Sequence, residues 1–498
     1  MAGTCIFHAG MKKCVLASAS LCLLLAANGF AWANTAEEAS RLELGGQFKQ
    51  AASLLTTALQ DKSLAPAERK KLEFELDRLD RIKQDFPLTK EALFAELKES
   101  VKRLNSAEYD QWIAEGRFDT REIDGTRCFM GDSVRNLYMR YPELNARRIR
   151  PKDTRALDKE RLESVHAIEK AAAAAKTPYV LPKRFDVTMT VTAKADAAPA
   201  GETIRAWVPI PRRYPFQDDI RLLPSSSPVK QLDGPESPIR SAYFERAAEA
   251  GKPTEFKVEY EYTAHAVKFD LKPSEVRACD PNDPALKEFM GEAPHVVFTP
   301  ELRKLSKEVV GDETNAYRRA KKCYDWIAEN IKYSYAIEYS TIRNISDYCR
   351  SKGYGDCGQE ALLFITLCRL NGIPARWQSG WNTFPGDKSN HDWSEIYLAP
   401  YGWVPVDPYM GIWAMRYATT LKPEQKREVR DFYFGGLDQY RMIANSDHSQ
   451  RLNPPKRTMR SDDVDFQRGE LEYGDKNIYF DKFSYRLTLE EIKPSRVD

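Results

Sequence analysis

Residues 353–377 read GYGDCGQEALLFITLCRLNGIPARW. A glycine-rich loop turns here into a helix so apolar that the rest of the chain must fold around it. Cys357, Ala361, Phe364 and Cys368 fall at i, i+4, i+7 and i+11, one helical face meant for burial. Asp356 stands where an N-cap belongs, and Asn371-Gly372 reads as the C-cap. A thiol in the first turn feels the positive end of the helix dipole, which favours the thiolate, and the thiolate is the nucleophile. A free cysteine is equally a residue that simply packs, so this stretch alone leaves packing and catalysis both open.

A cysteine nucleophile needs a base, and the base needs an orienting group. After the helix come HDWSEIYL and GWVPVDP, separated by Ala399 and Pro400 with a turn through Tyr401-Gly402, the pattern of a strand hairpin. Of the six histidines, His391 is the one that opens such a strand close behind Cys357. If the hairpin pairs Trp393 with Asp407, then Asp407 lies diagonal to His391 on one face, about 7–8 Å away between backbones and within side-chain reach. A slip of one residue would destroy the relation. Taken singly, His391 and Asp407 also read as ordinary strand-end residues, with Asp407 starting the turn at Pro408.

Around this segment the composition changes in blocks. Residues 34–180 form a helical region rich in Ala, Leu, Glu and Lys, in which GGQFKQAASLLTTAL resembles one helix of a TPR-type hairpin without a clear second copy. FDVTMTVTAKA, TIRAWVPIP and TEFKVEYEYTAHAVKF alternate apolar and polar residues, so 184–275 is expected to be an antiparallel β-domain. Helices return at Thr299-Pro300, an N-cap followed by proline at the first helical position, and again over NAYRRAKKCYDWIAENIKY, with Tyr317, Ala320, Tyr324 and Ile327 on one face.

Three motifs in order, GDCGQEALLFITLCRLNGIPAR, HDWSEIYL and GWVPVDP, strongly resemble the transglutaminase-like core of the papain-like thiol enzymes over residues 280–415. The resemblance implies an α+β fold in which a transglutaminase-like (papain-like cysteine protease) core, residues 276–425, follows the helical region and the β-domain. Residues 426–498 would be a C-terminal extension packing on that core. It further implies a catalytic triad of Cys357, His391 and Asp407 with no cofactor. RAWVPIPRRYPFQ resembles the amino-terminal β-domain of bacterial transglutaminase-like proteins.

Several neighbours receive plainer expectations. The Cys357 backbone N–H is one oxyanion donor, and Tyr335 and Tyr339 are candidates for a second. Trp326 is expected to pack. Glu360 is expected to complement the helix dipole, and Glu395 to be either a partner of the site or solvated. Trp381, Trp393, Trp403 and Trp413 are candidates for an aromatic tunnel or for core. Tyr440, Arg441 and His448 are candidates to border the cleft, with surface placement the favoured expectation for each.

The charge balance, 75 Lys plus Arg against 73 Asp plus Glu, and the lack of a basic run interleaved with aromatics exclude a nucleic-acid groove. Lys12 and Lys13, the apolar run from Val15 to Ala27 and Ala31-Trp32-Ala33 read as a signal peptide over 1–33, giving a periplasmic or secreted chain that starts at Asn34 and keeps no stable membrane span. Six cysteines then remain, and pairing among Cys128, Cys279, Cys323 and Cys349 is open. Cys357 and Cys368 lie about 16 Å apart along the helix, too far to pair. No Cys/His cluster has zinc spacing and no calcium-loop pattern is present, so no metal is implied. The sequence points to an enzyme acting on a protein or peptide through an acyl-enzyme, with water as the favoured acceptor. Amine transfer giving crosslinks and a non-catalytic scaffold for protein or glycan are the alternatives, and the oligomeric state is left open.

Overall fold

The computed structural model describes residues 35–224 and 227–493. The expected signal peptide, residues 1–33, lies outside the described residues. The chain divides into two compact units, one running through Lys98 with Leu104–Ser133, the other made of Glu99–Arg103 with Val134–Asp498.

The first unit holds α1 (residues 35–44), α2 (Phe48–Leu59), α3 (Pro66–Asp85), most of α4 (Lys90–Ser100) and α5 (Ser106–Ala114). Phe48, Leu55, Leu72, Leu79, Leu93 and Trp112 are buried in it. Arg78, also buried, is neutralised by Glu43 at 2.6 Å and Glu75 at 3.0 Å. A hairpin, β1 (Thr120–Ile123) and β2 (Thr126–Phe129), departs from the helical expectation. Its two-residue turn is Asp124-Gly125, with φ of 49° and 84°, and Asp-Gly favours this kind of turn strongly enough to override the surrounding composition.

The second unit begins with α6 (Ser133–Arg140) and α7 (Arg155–Ala175), then builds a β-sandwich from β3 (Tyr179–Ala193), β4 (Thr203–Pro209), β5 (Gln217–Leu222), β6 (Gln231–Leu232), β7 (Ser241–Ala247) and β8 (Thr254–Lys268). Phe256, Val258, Tyr260, Tyr262 and Ala264 bury alternate positions of β8, the period-two pattern of a strand with one covered face. They share one apolar core with Val187 and Met189 of β3, Ala206 and Val208 of β4 and Phe244 of β7.

The remaining elements surround the apolar helix. They are α8 (Pro300–Val310), α9 (Ala316–Asn330), the parallel pair β9 (Lys332–Tyr333) and β10 (Tyr354–Gly355), α10 (Ile345–Lys352) and α11 (Cys357–Leu370). Then follow β11 (Ala375–Phe384), β12 (Asp387–Leu398), β13 (Gly402–Val406), α12 (Pro408–Ile412) and α13 (Pro423–Phe432). Thr299 caps α8 by accepting from Leu302 N at 3.2 Å. Not one face of α11 but every residue from Cys357 to Arg369 is buried, because α8, α9, α10, α12 and the sheet close on it from all sides.

Residues after 425 supply strands to three sheets. β14 (Gly436–Leu437) pairs with β8, β15 (Arg441–Asn445) with β11, β16 (Glu470–Tyr473) with β4, β17 (Lys476–Ile478) with β16, and β18 (Phe483–Ile492) with β3. The core sheet therefore runs β13-β12-β11-β15. A Cβ at Gly380 would overlap the Met442 carbonyl oxygen, so glycine is what lets β15 close against β11. Among the described residues no helix is long and apolar enough to cross a membrane.

Candidate active site

Cys357 is the first residue of α11 and is 9 % exposed. Asp356 caps the helix, its Oδ1 accepting from Gln359 N at 3.1 Å and from the Tyr339 hydroxyl at 2.7 Å. The Cys357 thiol donates to Asp392 Oδ2 at 3.5 Å. Burial, then the Asp392 and Asp356 carboxylates, push this thiol well above its ordinary value, against the pull of the helix dipole. The resting group is a neutral thiol.

His391 and Asp407 meet through the register of the hairpin. β12 and β13 pair Glu395 with Pro405 and Ser394 with Val406, where the ladder ends one residue short of Trp393 and Asp407. His391 Nε2 lies 2.7 Å from Asp407 Oδ2, and both side chains are buried. Asp407 also caps α12, accepting from Met410 N at 3.1 Å. The imidazole stacks on Trp393 with centroids 5.8 Å apart and meets Tyr409 edge-on at 5.3 Å. With Nε2 turned to Asp407, Nδ1 is the ring nitrogen left for a thiol.

A buried cation completes this pair. Arg441, expected at the surface, is 1 % exposed on β15, with its guanidinium 3.0 Å from Asp407 Oδ2 and 3.5 Å from Asp438. Burial opposes ionisation of Asp407, but His391 and Arg441 outweigh it and hold the carboxyl below its ordinary value. Burial depresses the His391 imidazole, Asp407 pulls it upward, and Arg441 adds to the depression, leaving it below its ordinary value. The resting pair is neutral histidine and ionised aspartate.

Asp392 and Gln467 were not singled out from the sequence. Gln467, in the loop before β16, donates to Asp392 Oδ1 at 2.7 Å and to the His391 carbonyl at 3.0 Å. Burial, then Asp465 and Asp356, push the Asp392 carboxyl well above its ordinary value. Arg468 carries the same loop onto Glu338 at 2.6 Å and Asp462 at 3.2 Å. HDWSEIYL does contain Asp392, but strand alternation assigns it to the face opposite His391.

Other expected residues separate by location. Tyr335 lines the cavity beside Cys357, whereas the Tyr339 hydroxyl is committed to Asp356. Trp326 packs against the core of α9 and α11. Glu360 is wholly buried, and neither carboxyl oxygen has a hydrogen-bond partner among the described residues. Burial pushes its acid well above the ordinary range, so it is neutral and does not complement the dipole. Glu395 is buried too, accepting from Arg376 and Gln378 at 2.8 Å each and from the Tyr214 hydroxyl. His448 is buried rather than at the surface, its Nε2 lying 2.8 Å from the Pro294 carbonyl. The four tryptophans do not form a tunnel. Trp381 belongs to the sandwich core, Trp393 lies under His391, and Trp403 stacks on Arg376 at 3.9 Å, which leaves Trp413 on the cavity wall.

Cys357 and His391 share one cavity of about 440 Å³, floored by Tyr333, Tyr335 and Tyr409. All six cysteines in the described residues carry free thiols. Among the described residues no group of three or more His, Cys, Asp or Glu side chains is placed to hold a metal ion.

Residues 303–408, which include Cys357, His391 and Asp407, match the model of the transglutaminase-like superfamily. The uncharacterized protein YebA of Bacillus subtilis is 28 % identical over 129 residues, 22 % of this chain and 17 % of that one. An uncharacterized Haemophilus influenzae protein is 22 % identical over 298 residues, 51 % of this chain and 76 % of that one. Among solved structures, a candidate cysteine protease from Cytophaga hutchinsonii covers 64 % of this chain and 93 % of its own at 15 % identity and a TM-score of 0.41.

Proposed function

Since residues 303–408 are a transglutaminase-like superfamily core, we propose that the chain is an exported thiol hydrolase that opens peptide or amide bonds with Cys357, His391 and Asp407. The observation that carries this reading is the 2.7 Å contact of His391 Nε2 with Asp407 Oδ2, in the wall of the cavity that Cys357 also lines.

His391 takes the thiol proton as Cys357 Sγ attacks the amide carbonyl carbon. Asp407 holds the ring orientation and stabilises the imidazolium that forms. The Cys357 N–H, at the exposed end of the helix dipole, faces the developing oxyanion. His391 returns the proton to the departing amine, leaving a thioester on Cys357. Water, giving up its proton to His391, then adds to the thioester, and collapse releases the carboxylic acid and restores the thiol. Trp381 and Trp403 do not line the cavity and Trp393 is buried beneath His391, so no tryptophan tunnel shields the thioester, which supports water over an amine as acceptor. Export rests on Lys12, Lys13, the apolar run and Ala31-Trp32-Ala33.

The test is incubation with a peptide library and excess labelled primary amine, with Cys357→Ala as the control. Cleaved or deamidated products without label, absent in the variant, are expected. Amine-capped glutamine side chains as the main product would replace hydrolysis by transfer, and full activity in Cys357→Ala would overturn the mechanism.

A further inference from the structure

The cavity that Cys357 lines is rich in cations. Arg135, Arg148, Lys152, Lys388 and Arg416 line it together with the tyrosine floor, Arg135 lying on the Tyr335 ring at 3.4 Å. Asp387, the carboxylate in the same lining, is already neutralised by the buried Arg161 at 2.5 Å. Arg416, Lys388 and Arg148 are not neutralised in the same way. Arg416 spends its guanidinium on the main-chain carbonyls of Glu329 and Ile331. Lys388 reaches the Leu489 carbonyl at 3.4 Å. Arg148 lies flat on the Tyr138 ring at 3.8 Å, and its Nε is buried with no hydrogen-bond partner among the described residues.

Carbonyl and ring contacts hold a cation in place without cancelling its charge. A cleft with low-dielectric walls and charge of one sign concentrates ligands of the other sign. The reacting group must still be an amide, since that is what Cys357 attacks. Resting on the reading of Cys357 as the nucleophile, we propose that the acyl donor is an acidic peptide, carrying a free carboxylate beside the amide that is opened, and that Arg148 and Lys152 are its specificity residues. A guanidinium stacked on an aromatic ring is pre-oriented for two-point contact with a carboxylate. Lys152, an exposed side chain of the same lining, contributes attraction at longer range.

The test compares alkylation of Cys357 by iodoacetate, an anion, with alkylation by neutral iodoacetamide. The ratio of the two rate constants, divided by the same ratio for a small free thiol, is expected near tenfold at low salt, within the range for electrostatic focusing of about 10 to 10³. It should fall toward one between about 0.01 M and 1 M salt, as the screening length shrinks from about 30 Å to 3 Å. Arg148→Gln with Lys152→Gln should lower it at low salt, and glutamate peptides should protect Cys357 at lower concentration than their glutamine counterparts. A normalised ratio of one or less in the wild type at low salt, with Cys357 reactive, would overturn the acidic donor and leave the nucleophile standing. Full hydrolytic activity in Cys357→Ala would remove both.

Discussion

Cys357 directs its thiol proton to Asp392 Oδ2 at 3.5 Å, although His391 is the next residue along the strand and lines the same cavity. A buried thiol and a buried carboxyl so close do not both carry negative charge, because each disfavours ionisation of the other. Asp392 accordingly holds Cys357 in its resting, protonated form.

Replacing Asp392 by Asn removes the carboxyl that accepts the thiol proton and competes with Sγ for ionisation. Burial remains, but one of the causes that raise the Cys357 thiol is gone, so the midpoint of its alkylation against pH should move to lower pH than in the wild type. An unmoved midpoint would mean that Asp392 does not govern the thiol.

Asp407→Asn should lower turnover by about 10⁴, the cost of losing the carboxylate behind a catalytic imidazole. The surroundings of Asp407 add a second effect. The substitution leaves Arg441, 1 % exposed, without one of its two carboxylates, and breaking a buried ion pair costs about 3–5 kcal/mol. Urea unfolding should therefore show a stability loss alongside the loss of turnover. Arg441→Met added to Asp407→Asn should recover part of the stability and none of the activity. Unchanged stability in the single variant would refute the pairing.

The hairpin relation was legible in the sequence because strand alternation and a short turn fix register locally. The ladder ends at Ser394 and Val406, one residue short of the Trp393 and Asp407 pair expected from the motif, yet its register still brings His391 within 2.7 Å of Asp407. The Thr299 cap, the Asn371-Gly372 stop and the β8 alternation were legible for the same reason, each being a short-range signal. What stayed hidden comes from far along the chain. Gln467 reaches Asp392 across 75 positions, and Arg441 reaches Asp407 only once β15 has docked on β11. A polar tail segment carries no local sign of which sheet it will join, so Arg441 and His448 read as surface residues. Asp124-Gly125 is different, since the turn signal of the hairpin was present and the helical composition around it masked it.

Asp465 gives the fold a pH dependence opposite to that of Asp407. Burial, then Asp462, raise its carboxyl from the ordinary value to about 7. Between the unfolded value of about 3.9 and that folded value, the native state binds more protons than the unfolded chain, so Asp465 makes stability fall as pH rises through this window. Asp407, held below its ordinary value, contributes stability above the unfolded value that is lost as pH falls through its folded one. Asp465→Asn should flatten the decline. Its stability relative to the wild type, from urea unfolding at about pH 5 and about pH 8, should be more favourable at the higher pH. An equal difference at both would show that Asp465 titrates normally.

Gly358→Ala tests how tightly the thiol and its acid are held together. On an open helix this change would stabilise the protein by about 1 kcal/mol through helix propensity. Here the added Cβ would lie 2.8 Å from both Asp392 Oδ2 and the Trp377 ring, and would press into the Tyr339 hydroxyl as well. Trp377 is fully buried and Tyr339 is committed to Asp356, so neither is free to retreat. Overpacking of this kind costs about 1–3 kcal/mol, enough to outweigh the propensity gain. Asp392 is the group most able to move, because its hold on the site is a pair of hydrogen bonds rather than a packed ring. Its displacement from Sγ should lower the alkylation midpoint of Cys357 in the same direction as Asp392→Asn, with the carboxylate still present. A variant more stable than the wild type, with an unaltered midpoint, would show that the space beside Gly358 is open and that the contact between Cys357 and Asp392 does not depend on it.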